Sequence, residues 1–281
     1  MFTNKEIAEY YDVTLPYYRR FWHSDPESNA LHYGFWEPGT KTLKEALINQ
    51  NRFSADAAEI KKGEKVLDAG CGVGGSSLWI AQNRGAYVVG ITLSQRQLQK
   101  AKGLALEVGL CGQTEFYVRD FLKTEFPDNS FDVVWAMESV CYAETKKKFL
   151  AEAYRVLRPG GRVIVADGFL LRDPTSDREK EEYAQFLEGW RLPNLSKMKD
   201  FKNDMEGVGF RKIRFWDKTE EIKPSSKIMF RRTYFSYPIA YLAATLGIVP
   251  ELLLKNNKSG IVQGELVNSG VAGYAVFCGE K

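Results

Sequence analysis

The chain has 281 residues, 44% of them hydrophobic and 27% charged, enough to bury a full core in one large globular domain or a domain with a cap. Its 39 Lys and Arg against 36 Asp and Glu leave a net charge of +3, too weak a field to imply a nucleic acid partner. Cys71, Cys111, Cys141 and Cys278 show no CxxC spacing and have only His23 and His32 to join them, so no metal site is expected and a reduced, cytoplasmic setting is.

In chain order, MFTNKEIAEYYDV lacks the basic and apolar segments of a signal peptide. Helices are predicted around 4–22 and 42–60, joined by the turn-rich, aromatic HSDPESNALHYGFWEPGT. From Lys65 to about Asp167, the strand runs KVLDAG, AYVVGIT, TEFYVRD, FDVVWAM and GRVIVAD alternate with the helical patterns SSLWIAQN, SQRQLQKAKGLALEV and TKKKFLAEAYRVL. That alternation predicts an α/β fold, a doubly wound and mostly parallel sheet with helices on both faces. Ser94 and Thr145 are predicted N-caps, Pro159-Gly160-Gly161 the end of the last of these helices, and Lys146-Lys147-Lys148 a solvated helix face.

A helix near 176–189, the segment NLSKMKDFKNDMEGVGF, the strand RKIRFWDK and a closing strand GYAVFCGE follow. FSYPIAYLAATLGIVPELLL, from Phe235, approaches the length of a membrane span, but Pro238, Pro250 and Glu251 interrupt it. It reads as a helix pair that covers a pocket or touches a membrane. The expected division is an N-terminal helical lid over 1–60, a nucleotide-binding core over 61–170, and a remainder over 171–281 that completes the sheet and carries a helical insertion.

VLDAGCGVGGSS puts Asp68 at a strand end and Gly70, Gly72, Gly74 and Gly75 in the turn that opens a helix, where glycine lets the backbone approach a ligand. Gly70, Gly72 and Gly75 satisfy GxGxxG, a weak signal that admits a nicotinamide oxidoreductase. Such a fold usually has an acid about 20 residues on for the ribose. Here VVGITLSQRQ offers Thr92, with no acid before Glu107, and Asp68 would repel a pyrophosphate.

VLDAGCGVGG, RDF at 119–121, FDVVWAMES and RVLRPGGRVIVAD together resemble the Rossmann-like, class I S-adenosylmethionine-dependent methyltransferases over residues 60–170. LHYGFWEPG, GITLS and MES resemble the subgroup of tocopherol, sterol 24-C-, sugar O- and cyclopropane-forming lipid methyltransferases, in which Thr within TLSxxQ often replaces the second-strand acid. The resemblance implies S-adenosyl-L-methionine as cofactor and S-adenosyl-L-homocysteine as product. It places Gly70, Gly72, Gly74 and Asp68 at the amino acid part of the cofactor, Thr92 and Gln97 at the adenosine, Asp120 at the adenine amino group and Phe121 on the ring, with Tyr33 and Met137 beside them. For Asp120 a turn role is the alternative.

In-line methyl transfer needs positioning and a dry site, and a base only where the acceptor must lose a proton. Glu138, at the mouth of FDVVWAM, fits a general base or a structural bond to the cofactor or a backbone amide. ESVCYAE resembles EATCHAP of sterol 24-C-methyltransferases, with Tyr142 in place of the His best suited to proton transfer. Methyl transfer needs no covalent intermediate, so Cys141 is read as pocket wall. Aromatic faces stabilise a cation: Tyr11 is assigned to catalysis, and Tyr18, Trp36, Tyr142 and Trp190 to the acceptor side.

The apolar content of 170–254 favours a lipophilic small-molecule acceptor, with a membrane contact or a homo-oligomer interface as further uses of the same residues. The reading is methyl transfer to carbon of an isoprenoid or sterol-like molecule. O-methylation of a phenol, quinol or sugar, N-methylation of a small amine, and a lipid-binding protein without turnover are the alternatives.

Overall fold

The computed structural model describes residues 2–17, 29 and 32–281. In chain order the elements are α1 Asn4–Tyr17, α2 Leu43–Ala57, β1 Lys65–Ala69, α3 Gly75–Arg84, β2 Tyr87–Thr92, α4 Gln95–Glu107, β3 Thr114–Val118 and β4 Phe131–Met137. They continue with α5 Lys146–Val156, β5 Leu157–Leu170, α6 Asp177–Gly189, α7 Met198–Val208, β6 Arg211–Asp217, α8 Thr219–Thr245, α9 Glu251–Asn268 and β7 Ala272–Glu280.

Caps explain several starts. Thr42 and Glu45 form a capping box at α2, Ser176 and Glu179 another at α6, and the Ser94 side chain accepts the Gln97 N–H at α4. Thr145 precedes α5 without a side-chain cap bond. Helix α5 stops at Val156, so Pro159-Gly160-Gly161 falls beyond its end, at the start of β5.

The seven strands run β3-β2-β1-β4-β5-β7-β6. Strands β1 to β5 pair in parallel, as the alternating pattern predicts, while β7 inserts antiparallel between β5 and β6. One face of the sheet packs Trp135, Ile164 and Val276 with α2, α3 and α4 residues, the other packs Val134, Val165 and Phe277 with α5 and α7 residues. A third cluster, with Leu170, Phe186, Leu192 and Leu266, lies under α6 and α9.

Two expectations fail. Pro238 does not interrupt its helix: α8 runs through Pro224 and Pro238 and stops only where Gly247 takes φ +68, after which Pro250 caps α9. Lys146 is not on a solvated face. It is buried, with Nζ donating to the carbonyls of Cys141, Ala143 and Asn194 and to Asn194 Oδ1 at 2.6–3.0 Å, so backbone oxygens replace its water. No helix among the described residues is long and apolar enough to cross a membrane.

Candidate functional site

The chain runs outward from β1 to β3 and then returns to lay β4 against the other side of β1, so the strand order reverses between β1 and β4. Carboxyl ends of parallel strands diverge at such a point and leave a crevice. The cleft there holds about 1700 Å3 of atom-free space, its open mouth included.

On the β1–β3 side, Asp68, Gly70, Gly72, Thr92, Gln97 and Phe121 line the cleft. Asp68 is buried, accepts from Ser77 Oγ at 2.5 Å, and burial pushes its carboxyl up to about 7. Gly70 has φ +113, and a Cβ there would stand 2.3 Å from Ser139 Cβ, so the protein's own β4 loop demands this glycine. Thr92 Oγ1 donates to Gln97 Oε1 at 2.6 Å and accepts the Ser94 N–H, a closed local set.

Gly74 stands outside the cleft wall and caps α3 against Ala101 and Phe116. Asp120 also stands outside it: Oδ1 accepts the Leu122 N–H at 2.7 Å and Oδ2 accepts from Asn4 Nδ2 of α1 at 2.7 Å. The turn role expected as the alternative for Asp120 is therefore present, joined to a bond that ties it to α1. Two further contacts hold α1 to α4, Ser94 Oγ to Asp12 and Arg96 to the Asp12 carbonyl at 2.7 Å.

On the β4–β7 side, Tyr11, Tyr33, Met137, Glu138, Cys141, Tyr142 and Trp190 line the cleft. Glu138 takes φ +48, a left-handed conformation that a non-glycine residue holds at some cost. Its Oε1 accepts the Tyr33 N–H at 2.7 Å and the Tyr274 O–H at 3.0 Å, while Oε2 bonds none of the described residues. Burial pushes the carboxyl up to about 8 against the pull of the Tyr33 N–H, with buried Asp167 adding repulsion. Tyr11 and Tyr142 rings meet at 5.5 Å.

Cys141 is buried, its N–H bonded to Asp167 Oδ2 at 2.9 Å, and burial with the Asp167 charge pushes its thiol up, which suits a wall and not a nucleophile. Trp36 leaves the cleft. Its segment is strapped between two helices, with Phe35 N bonded to Ala46 O of α2 and the Trp36 indole donating to Ser225 Oγ of α8 at 2.9 Å. Tyr18 lies outside the described residues.

Sequence reasoning missed four residues. Tyr274 donates to Glu138 and accepts from Gln50 Nε2 at 2.6 Å, and Gln50 Oε1 meets His32 Nδ1 at 3.1 Å. His32 Nδ1 also meets the Tyr33 carbonyl at 2.6 Å, so it is the protonated nitrogen, and a one-way chain of donors runs from His32 to Glu138. Burial holds the imidazole below its ordinary range, and Nε2 is buried without a partner among the described residues. Asp167, the fourth, ends the quoted RVIVAD and carried that much signal.

Asp68, Glu138 and Asp167 thus face one cleft, each carboxyl pushed up by burial. A cation entering would relieve that cost for the ionised forms. The donor set therefore fits the sulfonium and ammonium of the cofactor that the resemblance implies.

Residues 67–165 match the family described as a methyltransferase domain. Over 237 residues the chain is 32% identical to a chloroplastic tocopherol O-methyltransferase of Arabidopsis thaliana, covering 78% of this chain and 67% of that protein. It is 31% identical over 210 residues to a sterol 24-C-methyltransferase of Gibberella zeae, covering 74% of this chain but only 54% of that protein. A cyclopropane synthase from Mycobacterium tuberculosis shares the fold with a TM-score of 0.85 at 17% identity, over 99% of this chain and 98% of that one.

Proposed function

Because the chain belongs to the class I S-adenosylmethionine-dependent methyltransferases, we propose that it methylates a carbon of a neutral lipophilic acceptor, an isoprenoid or sterol-like alkene, with Glu138 as base. Bound in the cleft, the cofactor supplies an electrophilic methyl on a sulfonium. The observation that carries the reading is Glu138, a half-buried carboxyl held by Tyr33 and Tyr274 through one oxygen, the other having no bond to a described residue.

An alkene that gains a methyl cation becomes a cation and must lose a proton. Glu138 Oε2 is the place for that proton, worth roughly 10²–10⁴-fold in rate. With no charge opposite, the carboxyl stays protonated near neutral pH; a cation in the cleft ionises it and so arms the base only when the cofactor is present. The rings of Tyr11, Tyr33 and Trp190 offer the carbocation about 0.5–2 kcal/mol each. Helix α1, latched through Asn4 and Asp12, helps exclude water.

Charge argues for a neutral acceptor. Three carboxyls line the cleft, and Arg119, which also lines it, is committed to the Thr124 carbonyl at 2.7 Å and to the Phe126 ring. Among the described residues that line the cleft, a diphosphate would find no uncommitted cation to balance its charge. O-methylation of a phenol is the second reading, favoured by the identity to a tocopherol O-methyltransferase.

The test is incubation with methyl-labelled cofactor and a panel of isoprenoid alkenes, sterols, prenyl diphosphates, quinols and phenols. Label on carbon of a neutral alkene is expected. Label confined to oxygen or nitrogen would overturn the carbon assignment, and turnover restricted to diphosphates would overturn the neutral acceptor.

A further inference from the structure

Helices α8 and α9 form a hairpin whose inner end belongs to the cleft, through Met229 on α8 and Gln263, Leu266 and Val267 on α9. The outer end does something else. Residues 233–250 contain no Asp, Glu, Lys or Arg. Helix α6 packs against α9 near Lys255 and Ser259, beside Gly189, and Asn257 Nδ2 bonds Ser236 Oγ at 2.7 Å across the hairpin. Farther out, Phe235 is 73% exposed, Ile239 72% and Ile248 71%, with Tyr241, Leu242 and Leu246 more than half exposed. Large apolar side chains this bare, gathered on one protrusion, are uncommon on a protein surface that meets only water.

Behind the apolar tip lies a collar of cations. Lys227 and Arg231 on α8 and Lys258 on α9 are exposed, and none of the three has an acidic partner among the described residues. The acids nearby are taken: Glu220 by Lys223, Glu221 by Lys218, Glu251 by Lys255. From Arg231 to Leu246 the helix rises about 22 Å, less than the roughly 30 Å of a bilayer core, so such a tip can dip into one leaflet but not cross.

We propose that the α8–α9 tip docks on an anionic lipid bilayer, its apolar residues among the acyl chains and Lys227, Arg231 and Lys258 at the phosphates. A second copy of the chain is the worse occupant, because a two-fold contact through this tip would bring one cationic collar against another. The same two helices wall the cleft, with Met229 about 9 Å along α8 from Phe235. The docked enzyme therefore presents its acceptor side towards the membrane, where a lipophilic acceptor dissolves. The inference rests on the reading of a lipophilic acceptor for its purpose, not for its test.

The experiment is flotation of the full chain with phosphatidylcholine vesicles, with and without phosphatidylserine, in the absence of any acceptor. Binding that depends on the anionic lipid is expected, falling roughly ten-fold or more in Ile239→Glu/Leu242→Glu. Lys227→Gln, Arg231→Gln and Lys258→Gln should each weaken it by roughly five-fold. The milder Phe235→Ser and Ile239→Ser should weaken it as well, with unchanged thermal unfolding to show that the fold survives, and turnover of detergent-dispersed acceptor should be intact in all of them. No binding by the wild type, or equal binding by the variants, overturns the proposal. So does a dimer in sedimentation that the same substitutions dissolve. Loss of methyl transfer with vesicle binding intact strikes the proposed function alone.

Discussion

The two halves of the cleft are built on different length scales. On the β1–β3 side Thr92 and Asp68 are satisfied by near neighbours: Thr92 bonds Gln97 five residues away and Ser77 bonds Asp68 nine away. On the β4–β7 side the bonds to Glu138 come from Tyr33 and Tyr274, 105 and 136 residues distant, and Gln50 reaches Tyr274 across 224. The first half is assembled by successive strand-helix units. The second exists only when the segment around Tyr33, α2, the end of β4 and the last strand have met. Damage to the second half should therefore show in chemistry more than in cofactor affinity.

The largest effect expected is at Glu138. Glu138→Gln keeps the size and the acceptor oxygen for Tyr33 and Tyr274 but cannot take a proton, so kcat should fall roughly 10²–10⁴-fold. Cofactor affinity, measured by calorimetry, should change by no more than several-fold. A large affinity loss with kcat intact would place Glu138 in cofactor binding and erase the division between the halves.

Tyr274→Phe is the next test. The lost O–H bond favours the ionised form of Glu138, so its removal raises the carboxyl pKa and the rising limb of the kcat–pH profile should move upward by roughly half to one pH unit. A merely structural tyrosine would lower activity equally at every pH.

Tyr274 also shows where sequence reasoning stops. GYAVFCGE reads as a strand, but nothing local says that this strand enters between β5 and β6 and brings its tyrosine to a residue at the end of β4. His32 and Gln50 are silent for the same reason, since their bonds close only in three dimensions. By contrast the glycine turn sits in one strand-helix turn and Thr92 with Gln97 in the next, and the alternating pattern from Lys65 to Asp167 delivers all five parallel strands. Lys146 misled because a run of lysines carries no mark of which one meets buried carbonyls.

A smaller effect is a proton count. Asp68 rises from 3.8 to about 7 and Glu138 from 4.5 to about 8 in the ligand-free protein. An acid with a raised native pKa binds more protons folded than unfolded, so its stabilisation is full below the unfolded value and is lost as pH rises through the native one. The melting temperature of the free protein should accordingly fall between about pH 4 and pH 8, less steeply in Glu138→Gln. Binding of S-adenosylmethionine near neutral pH should release protons, seen as a dependence of the calorimetric heat on the buffer's ionisation enthalpy. Uptake instead of release would mean that these carboxyls do not answer the cofactor's charge.

The smallest effect decides the role of Asp120. The resemblance assigns this carboxylate to adenine, yet its oxygens serve Leu122 N–H and Asn4 of α1. If it acts as a latch, Asn4→Ala and Asp120→Asn should each raise the cofactor KM by roughly two- to five-fold, the worth of an exposed polar pair, with kcat nearly unchanged. The double variant should then cost no more than either single one, because both remove the same bond. If Asp120 reads adenine, its substitution should weaken discrimination against analogues lacking the exocyclic amino group, while Asn4→Ala leaves that discrimination untouched and the two effects add. Additive losses with altered base selectivity would return Asp120 to the cofactor. Coupled losses with unaltered selectivity would make it the point where the locally built half of the cleft takes hold of the lid.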